Sequence, residues 1–218
     1  MNLVKTEEPA VSEAAVSRHR GILETAAQLI CSDGYERTSM NAIAEACQLT
    51  KAGLYHHIRS KEHLLSEIMH YGMDIFEEQV LSQVSGITDP VERLETTLDK
   101  HVQLVTGGRN KEVTVILHEH DTLTGDARAQ INARKKNYVR FLEASFAEAI
   151  AQGRIRQVEP KVAAFTFLGM VNWIYKWHRA DGEFSPQRIA QEMRRILFGG
   201  LVDEVSPPSV ESGERKQG

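Results

Sequence analysis

Apolar positions recur along this chain at three- and four-residue intervals, and no run alternates as a strand would. From Arg18 the residues Ile22, Ala26, Leu29 and Ile30 form one stripe, which Asp33 and Gly34 close. Thr38 or Ser39 then caps a short helix through Ile43 and Cys47, and Thr50 caps another of about two turns carrying Leu54 and Ile58. Ser60 opens a longer helix, with Glu62 in its first turn where the helix dipole favours an acid. Its stripe runs through Leu64, Leu65, Ile68 and Ile75 towards Val84. Later starts are sharp: "DPVE" at 89–92, "EP" at 159–160 and "SP" at 185–186 each set proline at the first helical position. Helical patterns also run through Leu117, through Phe141 to Ile150 with an end near Gly153, and through Trp177. The pattern predicts an all-α chain of eight or nine helices.

Composition narrows the class. A hydrophobic share of 41% supports a packed core, while apolar runs such as "VAAFTFLGMV" are far too short to span a bilayer. No leader pattern opens the chain, so the expected location is cytoplasmic, with no membrane partner. Cys31 and Cys47 fall in apolar helical patterns, where free buried thiols are expected rather than a disulfide. Residues 1–17 and 204–218 read as polar tails, leaving 18–65 as a small N-terminal unit and 66–203 as a larger one. The net charge of -4 argues against indiscriminate nucleic-acid binding. Residues 18–65, however, hold six Lys/Arg against five Asp/Glu, which permits a local binding face.

Two short helices joined by "QLT" match the size of a helix-turn-helix. Such a unit presents the start of its second helix to base edges while its neighbours hold phosphates. Thr50 can cap that helix, Lys51 can reach a guanine edge or a phosphate, and Gly53 lets the backbone approach a duplex closely. Tyr55 can donate to a phosphate oxygen, and Lys61 sits by the next helix N-terminus. The block "ILETAAQLICSDGYERTSMNAIAEACQLTKAGLYHHIRSKEHLL", residues 22–65, resembles the DNA-binding domain of the TetR family of bacterial regulators. It departs from the family pattern at Ile58, where an aromatic is usual, and at Cys47, where a small or apolar residue is usual. The resemblance implies that Thr38 and Ser39 start the supporting helix and touch the DNA backbone, with Met40 beside them. It further implies that Thr50, Lys51 and Gly53 meet bases and that Tyr55, His56 and Lys61 hold phosphates, His57 serving to pack.

Residues 66–203 resemble the family's effector-binding and dimerisation domain only in size and helix count. The stretch "PKVAAFTFLGMVNWIYKW", 160–177, is apolar nearly all round, and such a helix needs cover on both sides. With the last stripe, Ile189, Met193, Ile196, Leu197 and Leu201, it predicts a homodimer through a four-helix interface, the pairing that the resemblance also implies. Tyr138, Phe141, Met170, Asn172, Trp173 and Trp177, with Tyr175, form the expected ligand pocket. The run "GMVNWIYKWHRADGEFSPQRIA", 169–190, is similar to a subgroup of TetR-like regulators that sense acyl-coenzyme A thioesters. Arg134, Lys135 and Lys176 are the cations expected at the mouth for that ligand's phosphates. The alternative effector is a flat, lipophilic drug-like compound, which needs the aromatics but not the cations, sensed by a regulator of efflux or detoxification.

A rival of a different class is a metal-dependent hydrolase built on "HEHD", 118–121, with His118 and Asp121 on one helical face. Two ligands from one turn do not make a site, and neither a nucleophile pattern nor a phosphate loop supports an enzyme. No cofactor or metal is expected. The function that follows is a ligand-responsive repressor on double-stranded palindromic operator DNA, released when a small lipophilic effector changes the spacing of the two recognition helices.

Overall fold

The structure is a computed structural model that describes residues 13–107, 111–119 and 121–200, all of its regular elements being helical. The expected tail at 204–218 and residues 1–12 of the one expected at 1–17 lie outside the described residues, whereas 13–17 are helical. The first helix, α1 (Glu13–Asp33), starts before the expected Arg18, because Ala14 and Ala15 favour helix and Glu13 suits its first turn. It buries Ile22, Leu23, Ala26, Ala27 and Ile30, and Gly34 ends it at φ 85°.

Two short helices follow, α2 (Met40–Ala46) and α3 (Lys51–His57). Ser39, not Thr38, is the first cap, its hydroxyl accepting from the Ala42 amide at 3.1 Å. The turn between the two helices rests on Gln48 at φ 55°, the non-glycine residue of positive φ among the described residues. Ile43, Leu54 and Ile58 are fully buried, so an aliphatic Ile58 fills the core beneath α3.

The long helix α4 (Lys61–Phe76) is capped by Ser60 and runs into a π-helical turn, Glu77–Leu81, then α5 (Ser82–Val84). Its N-terminal half packs the small unit through Leu64, Leu65 and Ile68, and its last turn turns Met73 and Phe76 into the larger one. The larger unit comprises α6 (Pro90–Thr106), α7 (Lys111–His118), α8 (Gly125–Ala151), α9 (Pro160–Asn172), α10 (Ile174–Trp177) and α11 (Pro186–Arg194). A second π-helical turn, Arg195–Gly199, follows α11. The helix expected over 160–177 is thus broken at Trp173, where the Lys176 amide bonds the Trp173 carbonyl at 3.1 Å in a three-residue turn.

α7 packs on both α4 and α1. At Gly72 the two backbones meet: an added Cβ would lie 2.8 Å from the Glu112 carbonyl carbon and oxygen. Arg134 of α8 ties α4 from the other side, donating to Asp74 at 2.7 Å, Glu77 at 2.8 Å and the His70 carbonyl at 3.1 Å.

Two glycine substitutions test this packing. Gly72→Ala should destabilise by about 1–3 kcal/mol, because backbone cannot retreat as a side chain can. Gly21→Ala, with open space at its Cβ in mid-helix, should instead stabilise by roughly 0.5–1 kcal/mol. Urea unfolding of the two variants should move in opposite directions.

Candidate functional site

At one end of the molecule, α3 lies exposed along its N-terminal face. Thr50 caps it, its hydroxyl accepting from the Gly53 amide at 3.0 Å, and Lys51, Ala52, Tyr55 and His56 face outward. Gly53 has a local role as well, since a Cβ there would stand 3.2 Å from the Thr50 hydroxyl that makes the cap. Lys61 is half-buried: its ammonium donates to the Glu36 carbonyl at 3.2 Å and sits 4.2 Å from the Tyr35 ring centre. That contact pins the start of α4 against the turn before α2. Thr38 is buried, and its hydroxyl donates to the Gly34 carbonyl at 2.9 Å. Met40 is also buried. The expectation that both stand beside DNA is therefore corrected, because their side chains close the corner between α1 and α2. Ser39 stays exposed at the α2 cap.

The larger unit encloses a cavity of about 340 Å³. Met73 and Phe76 of α4 and Val113, Ile116 and Leu117 of α7 form one wall. Val139 of α8 and Leu168 of α9 close the other. Four polar side chains interrupt this apolar lining: His101, Tyr138, Lys135 and Asn172. His101 Nδ1 and the Tyr138 hydroxyl are 3.1 Å apart, and Phe76 meets both rings edge-on at 5.1 and 4.6 Å between centres. Burial pulls the His101 pKa down to about 3 and pushes the Tyr138 phenol well up, so both are neutral. Lys135 donates to the Ile116 carbonyl at 3.2 Å near the C-terminus of α7, and burial lowers its pKa from the ordinary value. Among the described residues no carboxylate lines the cavity.

Residues 22–68 match the family described as bacterial regulatory proteins, tetR family, and residues 88–201 match the tetracyclin repressor-like C-terminal domain. The second match alone spans more than half of the chain.

The chain belongs to the TetR family.

Among solved structures it is 61% identical to AibR, crystallised in complex with isovaleryl coenzyme A and operator DNA. That match covers 83% of this chain and 98% of AibR, with a TM-score of 0.81. PfmR, a TetR family regulator from Thermus thermophilus, is 29% identical over 83% of this chain and 98% of its own, with a TM-score of 0.76. The HTH-type transcriptional repressor KstR2 of Mycobacterium tuberculosis (strain ATCC 25618 / H37Rv) is 24% identical over 190 residues, 86% of this chain and 94% of KstR2.

Within this TetR fold, two of the six expected pocket residues, Tyr138 and Asn172, line the cavity. Phe141 lies behind it, its ring 6.3 Å from that of Tyr138 and packed on the core, and Met170 is half-buried outside the lining. Trp173 and Trp177 are corrected outright: they are 61% and 46% exposed, on the outer side of α9 and α10. The same outer side carries Val162 and Phe165, with Phe184 and Ile196 exposed nearby in sequence to α11. A helix apolar all round has one face for its own core and another left open, and the tryptophans fall on the open one. Of the three expected mouth cations, only Lys135 reaches the cavity. Arg134 is spent on Asp74 and Glu77, and Lys176 is exposed over the Tyr175 ring.

The rival site dissolves in part. His118 packs its ring 4.4 Å from Tyr175, while Asp121 pairs with Arg128 at 2.9 Å, and His120 lies outside the described residues. Among the described residues no group of three His, Cys, Asp or Glu could hold a metal. Cys31 and Cys47 are free and half-buried, and burial raises the Cys31 thiol pKa to about 11. No helix of the described residues is long and apolar enough to cross a membrane.

Sequence reasoning missed His101 and Phe76, the inner end of the cavity. The signal existed: His101 sits on the stripe Leu94, Leu98, Val102 of α6, an ionisable residue on a face otherwise apolar or hydroxylic. Its neutrality has a consequence for stability. Because the folded pKa lies below the ordinary 6.5, the unfolded chain gains a proton first as pH falls. Stability should therefore drop by up to about 1.4 kcal/mol per pH unit below roughly pH 6.5, with no effect above it. Thermal unfolding of His101→Gln from about pH 7 to pH 5 should show a flatter dependence than the wild type.

Proposed function

We propose that this chain is a homodimeric transcriptional repressor whose hold on a palindromic operator is governed by a short acyl-coenzyme A thioester. The observation that carries the effector class is the cavity wall, which among the described residues is apolar with one cation and no acid. A cationic form of the alternative, drug-like effector would find no counter-charge there and would face Lys135. An acyl group suits the apolar walls, while the rest of coenzyme A, too bulky for about 340 Å³, extends outward. The AibR complex with isovaleryl coenzyme A, at 61% identity, supports the same class.

On the DNA side, the exposed Thr50 and Lys51 and the half-buried Gly53 are assigned to bases, and Ser39, Tyr55 and His56 to the phosphate backbone. Lys61 positions the corner by its contact with Tyr35 and offers its charge to the same strand. Pairing through the open face of α9 to α11 sets two recognition helices about one helical turn apart. Effector and operator are then coupled, each changing the other's affinity by the same factor, typically about 5–150-fold.

Altered spacing of the helices favours release. A second reading, effector-assisted repression, is favoured by a specific observation: AibR was crystallised with thioester and operator DNA together. Operator titrations with and without isovaleryl coenzyme A decide the sign. No change with any acyl thioester would remove the effector class.

Two sets of variants test the remainder. Lys51→Ala should relax sequence choice, whereas Tyr55→Phe and His56→Ala should weaken binding to operator and random DNA alike, each read at several salt concentrations. Lys61→Ala should flatten the salt slope by about one unit. Phe165→Asp and Ile196→Asp place a carboxylate at positions exposed in the single chain, so the protomer keeps its fold. In sedimentation both variants should run as monomers at micromolar concentration, with operator affinity lost; a wild-type monomer would end the two-half-site reading.

A further inference from the structure

His101 and Tyr138 form a neutral pair with one donor left over. A neutral imidazole carries one N–H and a phenol one O–H, and the single bond between them uses one of the two. Neither side chain makes another hydrogen bond to the described residues. Whichever tautomer holds, the pair therefore presents one unspent donor. Phe76 meets both rings edge-on, Phe141 stacks near Tyr138, and both His101 and Tyr138 line the cavity. The two are nearly buried, at 4% and 6% exposure, whereas Lys135 and Asn172 stand half-exposed at the open end. A ligand that fills the cavity with hydrocarbon alone expels water and strands this donor. One that brings an acceptor oxygen satisfies it.

We propose that the His101–Tyr138 pair is the specificity element of the cavity, donating its spare hydrogen bond to the thioester carbonyl oxygen of the effector. The proposal rests on the acyl-thioester reading and deepens it. The acceptor is the carbonyl because it is the oxygen that every acyl thioester brings next to its hydrocarbon. The carbonyl is uncharged, as the neutral pair requires, and Lys135 at the open end is left for the more electron-rich parts of the coenzyme arm. Saturated hydrocarbons and thioethers of equal size are rejected by the stranded donor, a stronger discrimination than an added or missing methylene gives.

The test compares isovaleryl coenzyme A with its thioether analogue, in which a methylene replaces the carbonyl, by calorimetry on the full-length protein. Wild type should bind the thioester about tenfold to a hundredfold more tightly than the thioether. In the double variant His101→Leu, Tyr138→Phe, which removes both possible donors, that ratio should collapse to within about threefold. Circular dichroism and thermal unfolding establish that the variant is folded. If it is not, the infrared stretch of the isotope-labelled thioester carbonyl on wild type serves in its place. A frequency below that of the same thioester in an apolar solvent supports the bond, and the apolar-solvent frequency itself overturns it. Equal binding of thioester and thioether by wild type overturns this inference alone. A preference that persists undiminished in the double variant overturns it as well. A thioether that regains full affinity when given a hydroxyl on its chain assigns the pair to a chain oxygen and overturns the carbonyl assignment. Failure of wild type to bind any thioester removes the effector reading and this inference with it.

Discussion

Gly72 has no room for a methyl group, and the path from the cavity to the DNA-binding end depends on that closeness. The Glu112 carbonyl lies where a Cβ would be, so α4 and α7 touch through backbone rather than through adjustable side chains. Each of the two helices has a second duty. The start of α4 packs the helix-turn-helix and its last turn walls the cavity, while α7 lines the same cavity and leans on α1. The two helices that wall the cavity are thus joined by a contact with little room to give.

Polar contacts at the ends of α7 extend that seam. Near its start, the Lys111 carbonyl accepts from the Cys31 thiol of α1 at 3.6 Å. Beyond its end, Glu119 accepts from the Tyr35 amide at 3.3 Å and from Thr122 at 2.9 Å, and Thr124 donates to Glu62 at 2.9 Å. Tyr35 in turn carries Lys61 over its ring. The corner that positions α2 and α3 is thus tied to the segment leaving the cavity wall. Lys135 belongs to both regions, since its ammonium bonds a carbonyl near the end of α7 while its stem lines the cavity. A ligand that competes for this ammonium acts directly on the end of the helix that braces the corner.

The chemistry of the cavity and the chemistry of the DNA-facing end differ as their solvents differ. On α3, the groups assigned to DNA are exposed, charged or hydroxylic, and suited to phosphates that arrive with their own counterions. Inside, charge is nearly absent: His101 is neutral through burial, Tyr138 stays a phenol, and selectivity falls to a single uncharged hydrogen bond in an apolar shell.

The helices were legible from sequence because their signals are local. Caps at Ser39, Thr50, Ser60 and Asp89 formed, and each depends on residues three positions apart; the helix start read from Pro186 formed too, capped by Ser185. The helix-turn-helix was legible for the same reason, being a nearly contiguous motif over residues 22–65 whose outward positions follow from helical period. Local period also exposed the apolar face of the last helices, but could not say which of its aromatics turn inward. Trp173 and Trp177 look like pocket residues in sequence and stand on the outer surface, because the helix breaks at Trp173 and the inner face is already filled by Ala164, Phe167 and Val171. The cavity needed the tertiary structure. Its walls come from α4, α6, α7, α8 and α9, and His101 and Tyr138 are 37 positions apart in the chain. Neither periodicity nor capping carries information across that distance; packing alone brings the two rings together and removes the water that would otherwise satisfy them.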